Sequence, residues 1–169
     1  MREVFLIAEG DTDIALLKKL IPDRYTKDIR FIAGKGYSAA TSLASSLLYN
    51  KSDSYVILVL DADTTDPTLV QERYDFLDWQ LRRMSVDRSY KIFLFIPMIE
   101  ALFINHGVVK RYGDNSFDPK SILADALNKK NISLNKFIEN LSSYDLNKIR
   151  GDQTVQSIIK TVQQEPVQT

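Results

Sequence analysis

The sequence predicts an α/β fold with a mostly parallel, four-stranded sheet flanked by helices and covered by a C-terminal helical cap. Three observations support this prediction. Four short apolar runs alternate with longer segments of helical periodicity over the first hundred residues, a pattern typical of parallel sheets with helical crossovers. The run 55–60 contains no charged residue, as expected for a strand buried on both faces. Beyond Pro97 we find only helical patterns.

The predicted strands are the apolar runs, which lie at 4–8, 29–33, 55–60 and 91–96. Between them the periodicity predicts helices at 14–21, 37–49 and 67–84. The third helix begins at Asp66-Pro67, an N-cap acid followed by proline at the first helical position. Its predicted apolar face consists of Leu69, Tyr74, Phe76, Leu77 and Leu81. The C-terminal third is predicted to form helices at 98–106, 119–130, 134–141 and 154–163.

Length and composition restrict the class of protein. A chain of 169 residues is expected to form one domain, here a Rossmann-like core over 1–106 and a helical extension of the same domain over 107–169. Basic and acidic residues both number 22, which argues against nucleic-acid binding through bulk charge but allows a local basic strip. The absence of cysteine excludes disulfides and thiolate zinc sites. No apolar run has the length of a signal or membrane segment, and we expect a soluble, cytoplasmic protein.

Acidic residues follow the first and third predicted strands. Glu9, Asp11 and Asp13 come after the first strand, and Asp61 and Asp63 come after the third. The carboxyl ends of parallel strands lie at one edge of the sheet, where such folds bind ligands. If the two strands are neighbours, these carboxylates share a pocket that requires a cation, and clustered oxygen ligands suit Mg²⁺ or Mn²⁺.

The ordered pair of acidic motifs resembles a known family. Glu-Gly-x-Thr-Asp at 9–13, followed by Asp-x-Asp at 61–63, is similar to the motifs of Toprim domains. This family includes topoisomerases, DnaG-type primases and OLD-type nucleases, and the resemblance covers roughly residues 3–100. The acid four residues after Glu9 is most similar to the OLD-type nucleases. The segment Ile-Pro-x-Ile-Glu-Ala at 96–101 resembles small standalone Toprim-like proteins found among bacterial and phage defence genes.

The resemblance implies a role for each acid. Glu9 would be a metal ligand or a general acid/base, Asp61 and Asp63 would hold Mg²⁺ or Mn²⁺, and Asp13 could serve a second metal. The implied chemistry is metal-dependent cleavage of a phosphodiester bond. From its position after the fourth strand, Glu100 is a further candidate metal ligand or an acid at a helix N-terminus. Asp11 is interpreted as a helix N-terminal acid.

Basic residues offer candidate substrate contacts. Lys35, in a glycine-flanked turn, could neutralise a phosphate at a helix start, although a plain turn explains it equally well. Arg82 and Arg83 belong to the densest basic cluster of the chain and form a candidate substrate strip or a solvated helix end. His106 lies among apolar residues and is interpreted as a packed or surface histidine.

Three hypotheses of function follow. The first is a divalent-metal-dependent nuclease acting on DNA or RNA, within a defence or repair system. The second is a non-catalytic Toprim-like module that binds nucleic acid or a partner ATPase. The third is a receiver-like signalling domain, which would need a fifth strand ending in lysine and therefore ranks last.

Overall fold

The protein forms a four-stranded parallel sheet with helices on both faces. The computed structural model describes residues 2–51, 53–85, 87–111 and 118–164. The strands are β1 (Glu3–Ala8), β2 (Ile29–Ala33), β3 (Ser54–Asp61) and β4 (Tyr90–Phe95). Their order is β2-β1-β3-β4, and every neighbouring pair is parallel. The predicted α/β fold is confirmed, and β1 and β3 are neighbours.

Each predicted helix corresponds to an observed one, with ends that differ by up to three residues. The observed helices are α1 (Asp11–Leu20), α2 (Asp23–Thr26), α3 (Tyr37–Asn50), α4 (Pro67–Arg82), α5 (Ala101–Asn105), α6 (Pro119–Lys130), α7 (Leu134–Glu139), α8 (Ser143–Arg150) and α9 (Gln153–Gln164). The short helices α2 and α8 were not predicted. The start of α8 does carry a sequence signal, which is Ser142, since serine is favoured at the N-cap. In the structure its hydroxyl accepts a hydrogen bond from the Asp145 amide.

Different helices cover the two faces of the sheet. Side chains alternate along each strand, so Leu6 and Ile57 point to one core while Ile7 and Leu58 point to the other. Helices α3 and α4 cover the second face. Helix α1 and the helices that follow β4 cover the first, where their side chains join the sheet in a single cluster of buried residues.

The apolar face predicted for α4 is only partly correct. Leu77 and Leu81 are completely buried against the sheet, whereas Leu69, Tyr74 and Phe76 are 47%, 38% and 55% exposed. A helix lying on a flat sheet contacts it through a narrow stripe, so apolar residues outside that stripe remain in solvent.

The strand order reverses between β1 and β3. The chain leaves β1 for β2 on one side and crosses back to β3 on the other. In this topology the loops after β1 and β3 diverge, and ligands bind between them at the carboxyl edge. The described ranges contain no fifth strand, so the lysine-bearing strand required by the receiver-like hypothesis is missing from this part of the chain. No helix in these ranges is long and apolar enough to cross a membrane.

Candidate active site

The loop after β3 is anchored to the segment that follows β4. The Ile99 amide donates a hydrogen bond of 2.8 Å to the Asp61 Oδ1 carboxylate oxygen, and the Asp63 amide donates one of 2.8 Å to the Pro97 carbonyl. Asp63 has a φ of +52°, a left-handed conformation that aspartate tolerates better than most residues. The chain therefore turns sharply between the two acids of the Asp-x-Asp motif.

The acids after β1 are also held by backbone amides. Glu9 Oε1 accepts a hydrogen bond of 2.9 Å from the Asp61 amide, which joins the ends of β1 and β3. Asp13 Oδ2 accepts one of 2.9 Å from the Gly10 amide at the start of α1. Glu9, Asp13 and Asp61 thus each use one carboxylate oxygen in a backbone hydrogen bond.

Four carboxylates influence one another at this edge, and we call them the acidic pocket: Glu9, Asp13, Asp61 and Glu100. Burial, together with the charges of Glu100, Glu9 and Asp13, raises the pKa of Asp61 to about 7, although the Ile99 hydrogen bond acts to lower it. Burial likewise raises the pKa of Asp13 to about 6, with contributions from Glu100 and Glu9. The pocket therefore retains protons near neutral pH unless a cation replaces them.

Glu100 contributes a buried oxygen to this pocket. It is the N-cap residue of α5, and its Oε2 atom is buried without a hydrogen-bond partner among the described residues. A buried polar atom without a partner is costly. A ligand that coordinates or donates to this oxygen would remove that cost.

Asp63 lies apart from the acidic pocket. Its half-exposed carboxylate forms an ion pair of 3.2 Å with the Arg73 guanidinium. Tyr37 is close to this pair and to Glu9. The pKa of the Tyr37 hydroxyl is raised, chiefly by burial and further by the charges of Glu9 and Asp63, while Arg73 acts to lower it. The left-handed turn at Asp63 thus directs the second acid of the motif toward Arg73, beside the pocket.

The predicted basic residues separate into two places. Lys35 is exposed at a φ of +62°, and the Gly36 amide next to it donates a hydrogen bond of 2.9 Å to the Glu9 carbonyl. The loop that carries Lys35 therefore lies against the site. Arg82 and Arg83 end α4, which spans 16 residues or about 24 Å from its start at the carboxyl edge. The structure does not bring these arginines to the carboxylates.

Two cations near the site were not predicted. Arg73 is in the second turn of α4, and Lys120 is close enough to lower the pKa of Asp13. The Asp66 N-cap is the signal that could have identified Arg73, because it places the first turns of α4 at the carboxyl edge. Lys120 carries no such signal, since its position depends on how the C-terminal helices pack.

Two other predicted assignments concern residues outside the pocket. His106 is partly buried, and its Nε2 lies 3.1 Å from an Asp152 carboxylate oxygen. It is therefore a packed histidine in the C-terminal helices, as interpreted from the sequence. Asp11 is exposed in the first turn of α1, consistent with a helix N-terminal acid.

The donor atoms of the pocket match the chemistry of Mg²⁺ or Mn²⁺, which prefer oxygen ligands. The unpartnered Oε2 of Glu100 and the second oxygens of Glu9, Asp13 and Asp61 are suitable donors. Within the described ranges, however, no three acidic or histidine side chains are grouped closely enough to hold a metal ion as they stand. Metal binding would require rotation of these side chains.

Comparisons with known proteins add no assignment. No protein-family model matches the chain, and a search of curated proteins found no match. The similarity to Toprim domains therefore depends on the two acidic motifs and their order along the chain.

Proposed function

We propose that this protein is a Toprim-like, divalent-metal-dependent nuclease that cleaves phosphodiester bonds of DNA or RNA at the acidic pocket. The observation that carries the proposal is the pairing of Glu9 and Asp61 across neighbouring parallel strands. Both lie where the strand order reverses, and each is oriented by a backbone amide. Two carboxylates brought together at this edge can supply oxygen ligands for metal-assisted phosphoryl chemistry, once their side chains rotate toward a common ion.

Individual residues take the following roles in this proposal. Glu9, Asp61 and Glu100 would hold a first Mg²⁺ or Mn²⁺, and Asp13 would serve a second. When bound, the metal supplies Lewis-acid activation of the phosphodiester and of the attacking water. Asp63 joins the ligand set only after it leaves Arg73. Glu9 is also the candidate general acid/base, the role that the resemblance to Toprim domains implies for it.

The cations around the pocket would orient the substrate. Arg73 of α4 pairs with Asp63, and Lys120 of α6 is close to Asp13. Lys35 lies in the β2–α3 loop, which contacts the site through the bond from the Gly36 amide to the Glu9 carbonyl. An anionic phosphodiester backbone gains from such cations, and they can stabilise charge that develops during cleavage. Arg82 and Arg83 have no part in this arrangement because of their distance from the carboxylates.

A second candidate function is a non-catalytic Toprim-like module that binds nucleic acid or a partner ATPase. It is favoured by the lack of a ready metal-binding group among the residues described. The ion pair between Asp63 and Arg73 also favours it, because Arg73 neutralises an acid that the nuclease hypothesis assigns to metal binding.

The test combines metal binding with cleavage. We would titrate Mn²⁺ and Mg²⁺ calorimetrically into the protein and incubate it with labelled single- and double-stranded DNA and RNA. The site variant is Asp61→Asn, and the matched control is Asp66→Asn. The control removes the same charge from the same loop, where asparagine is an equally good N-cap.

Wild-type and Asp66→Asn proteins should bind metal and cleave, while Asp61→Asn should do neither. Absence of metal binding at millimolar concentration, both with and without nucleic acid, would overturn the nuclease proposal. Retained nucleic-acid binding in that case would favour the second candidate.

A further inference from the structure

A stripe of exposed residues runs along the solvent side of α4. Leu69, Glu72, Phe76, Trp79 and Arg83 are spaced alternately by three and four residues, the pattern of a helix-pairing seam. We call these five residues the α4 seam. All five are exposed, with exposed fractions of 47%, 55% and 54% for Leu69, Phe76 and Trp79. The seam lies on the opposite side of the helix from its buried stripe.

The aromatic residues of the seam are already ordered within the chain. The rings of Phe76 and Trp79 stack with centroids 6.2 Å apart, and the Arg83 guanidinium lies 4.7 Å from the Trp79 ring centroid. Aromatic side chains and arginine are enriched at the centres of protein interfaces. Because soluble proteins rarely expose large contiguous apolar patches, such a stripe marks an interaction surface.

The charges of the helix indicate what covers the seam. From Glu72 to Arg83 the helix carries three acids and three arginines, so it does not attract a polyanion. Arg73 pairs with Asp63 and Arg82 pairs with Asp78 within the chain, which leaves Glu72 and Arg83 as the charges of opposite sign within the seam. This pair of charges is self-complementary, since a second copy running in the opposite direction places its Arg83 beside Glu72.

We propose that the α4 seam is a homodimer interface in which the α4 helices of two copies pack antiparallel about a twofold axis. The favoured register places Phe76 against Trp79 of the second copy and Glu72 against Arg83 of the second copy. The twofold symmetry produces each contact twice. This register pairs Phe76 with Trp79 in the middle of the seam and the unlike charges of Glu72 and Arg83 on either side of them.

The size of the interface predicts a weak association. A pair of helices about 24 Å long buries on the order of 1,000 Å² in total, the lower end of the range for specific interfaces. We therefore expect a concentration-dependent dimer with a dissociation constant of about 1–100 μM. The nuclease proposal does not depend on this dimer, and the two can fail separately.

The test is a charge-reversal cycle measured by sedimentation velocity from about 1 to 300 μM, a range chosen to bracket the expected affinity. Glu72→Arg and Arg83→Glu each place like charges opposite one another and should weaken the dimer at least about tenfold, equivalent to roughly 1.4 kcal/mol. The double variant, and an equimolar mixture of the two single variants, restore unlike pairs and should recover wild-type affinity within about threefold.

Two further measurements make the test specific. Lys160→Glu, a reversal at an exposed position of α9, should leave the dimer unchanged. Trp79 is the only tryptophan of the chain, so its emission should shift to shorter wavelength as the dimer forms. Circular dichroism verifies that each exposed-site variant keeps its helices.

A wild-type protein that remains monomeric at the highest concentration would overturn the proposal. It would also fail if the double variant dimerised no more tightly than the single variants, because residues 72 and 83 would then not contact each other across the interface. Loss of single-stranded DNA binding in Arg83→Glu, in a protein that stays monomeric, would assign the seam to nucleic acid instead.

Discussion

Replacement of Asp61 by asparagine removes a charge from the acidic pocket while keeping its hydrogen bond. The asparagine side chain retains an oxygen that accepts from the Ile99 amide, which lies 2.8 Å from Asp61 Oδ1. The hydrogen bond from the residue-61 amide to Glu9 is a backbone bond and is unaffected. We therefore expect Asp61→Asn to be more stable than the wild type at alkaline pH and to lose metal binding.

The magnitude follows from the raised pKa. Burial and neighbouring acids raise the pKa of Asp61 from 3.8 to about 7, so the folded protein binds more protons than the unfolded chain between these values. The wild-type free energy of unfolding must fall as the pH rises through this window. From pH 5 to pH 8 the advantage of Asp61→Asn should grow by about 1–3 kcal/mol, allowing for solvent screening of a partly exposed group.

The assay is urea unfolding at pH 5 and pH 8 in the presence of a chelator. Far-ultraviolet circular dichroism is the suitable probe, because the single tryptophan is already half-exposed. Asp66→Asn is the control, and we expect its free energy of unfolding to stay within about 0.5 kcal/mol of wild type at both pH values.

The reasoning would be refuted if the free energy of unfolding of Asp61→Asn at pH 8 were lower than that of the wild type by more than about 1 kcal/mol. A loss of that size exceeds what is typical of surface substitutions. The Asp61 carboxylate would then be a structural element, and the repulsion inferred in the acidic pocket would be absent.

Three other predictions concern the site and its supports. In Gly34→Ala the new Cβ would lie 2.4 Å from Ala40 Cα, so urea unfolding should show a loss of about 1–3 kcal/mol; a wild-type value would disprove the clash. Arg150→Ala removes donors to two carbonyls at the end of α1, at 2.8 and 2.9 Å. It should cost about 1–3 kcal/mol in the same assay, with only partial recovery in Arg150→Lys. Arg73→Ala frees Asp63 from its exposed ion pair, so calorimetry should show tighter Mn²⁺ binding with stability changed by under about 1 kcal/mol; weaker binding would contradict competition between Arg73 and metal.

Local sequence patterns predicted the strands to within one residue. An uninterrupted apolar run such as 55–60 is stable only when both faces of the strand are covered, so composition alone indicates a central position in the sheet. The order β2-β1-β3-β4 then brings Glu9 and Asp61 together at one edge. The acidic pocket was predictable because parallel strands place their carboxyl ends side by side.

Other features depended on details that a pattern does not contain. The spacing of Asp61 and Asp63 suggested a shared site, but the left-handed backbone at Asp63 turns its side chain to Arg73. Helix periodicity placed Phe76 in the core, yet the sheet contacts only the stripe around Leu77 and Leu81. The position of each side chain was therefore decided by tertiary packing: by the backbone turn and Arg73 for Asp63, and by the width of the contact between α4 and the sheet for Phe76.

The sequence by itself determined the fold class, the strand ends and the acids that follow them, because burial of apolar runs and turn chemistry are local properties of the chain. Only the tertiary structure decided that Glu100 contributes a buried oxygen without a hydrogen-bond partner among the described residues, and that Arg73 and Lys120 lie close to the acids. It also separated Arg82 and Arg83 from the site. These relations join residues that are distant in the sequence, and they arise from the packing of helices on the sheet rather than from any local preference.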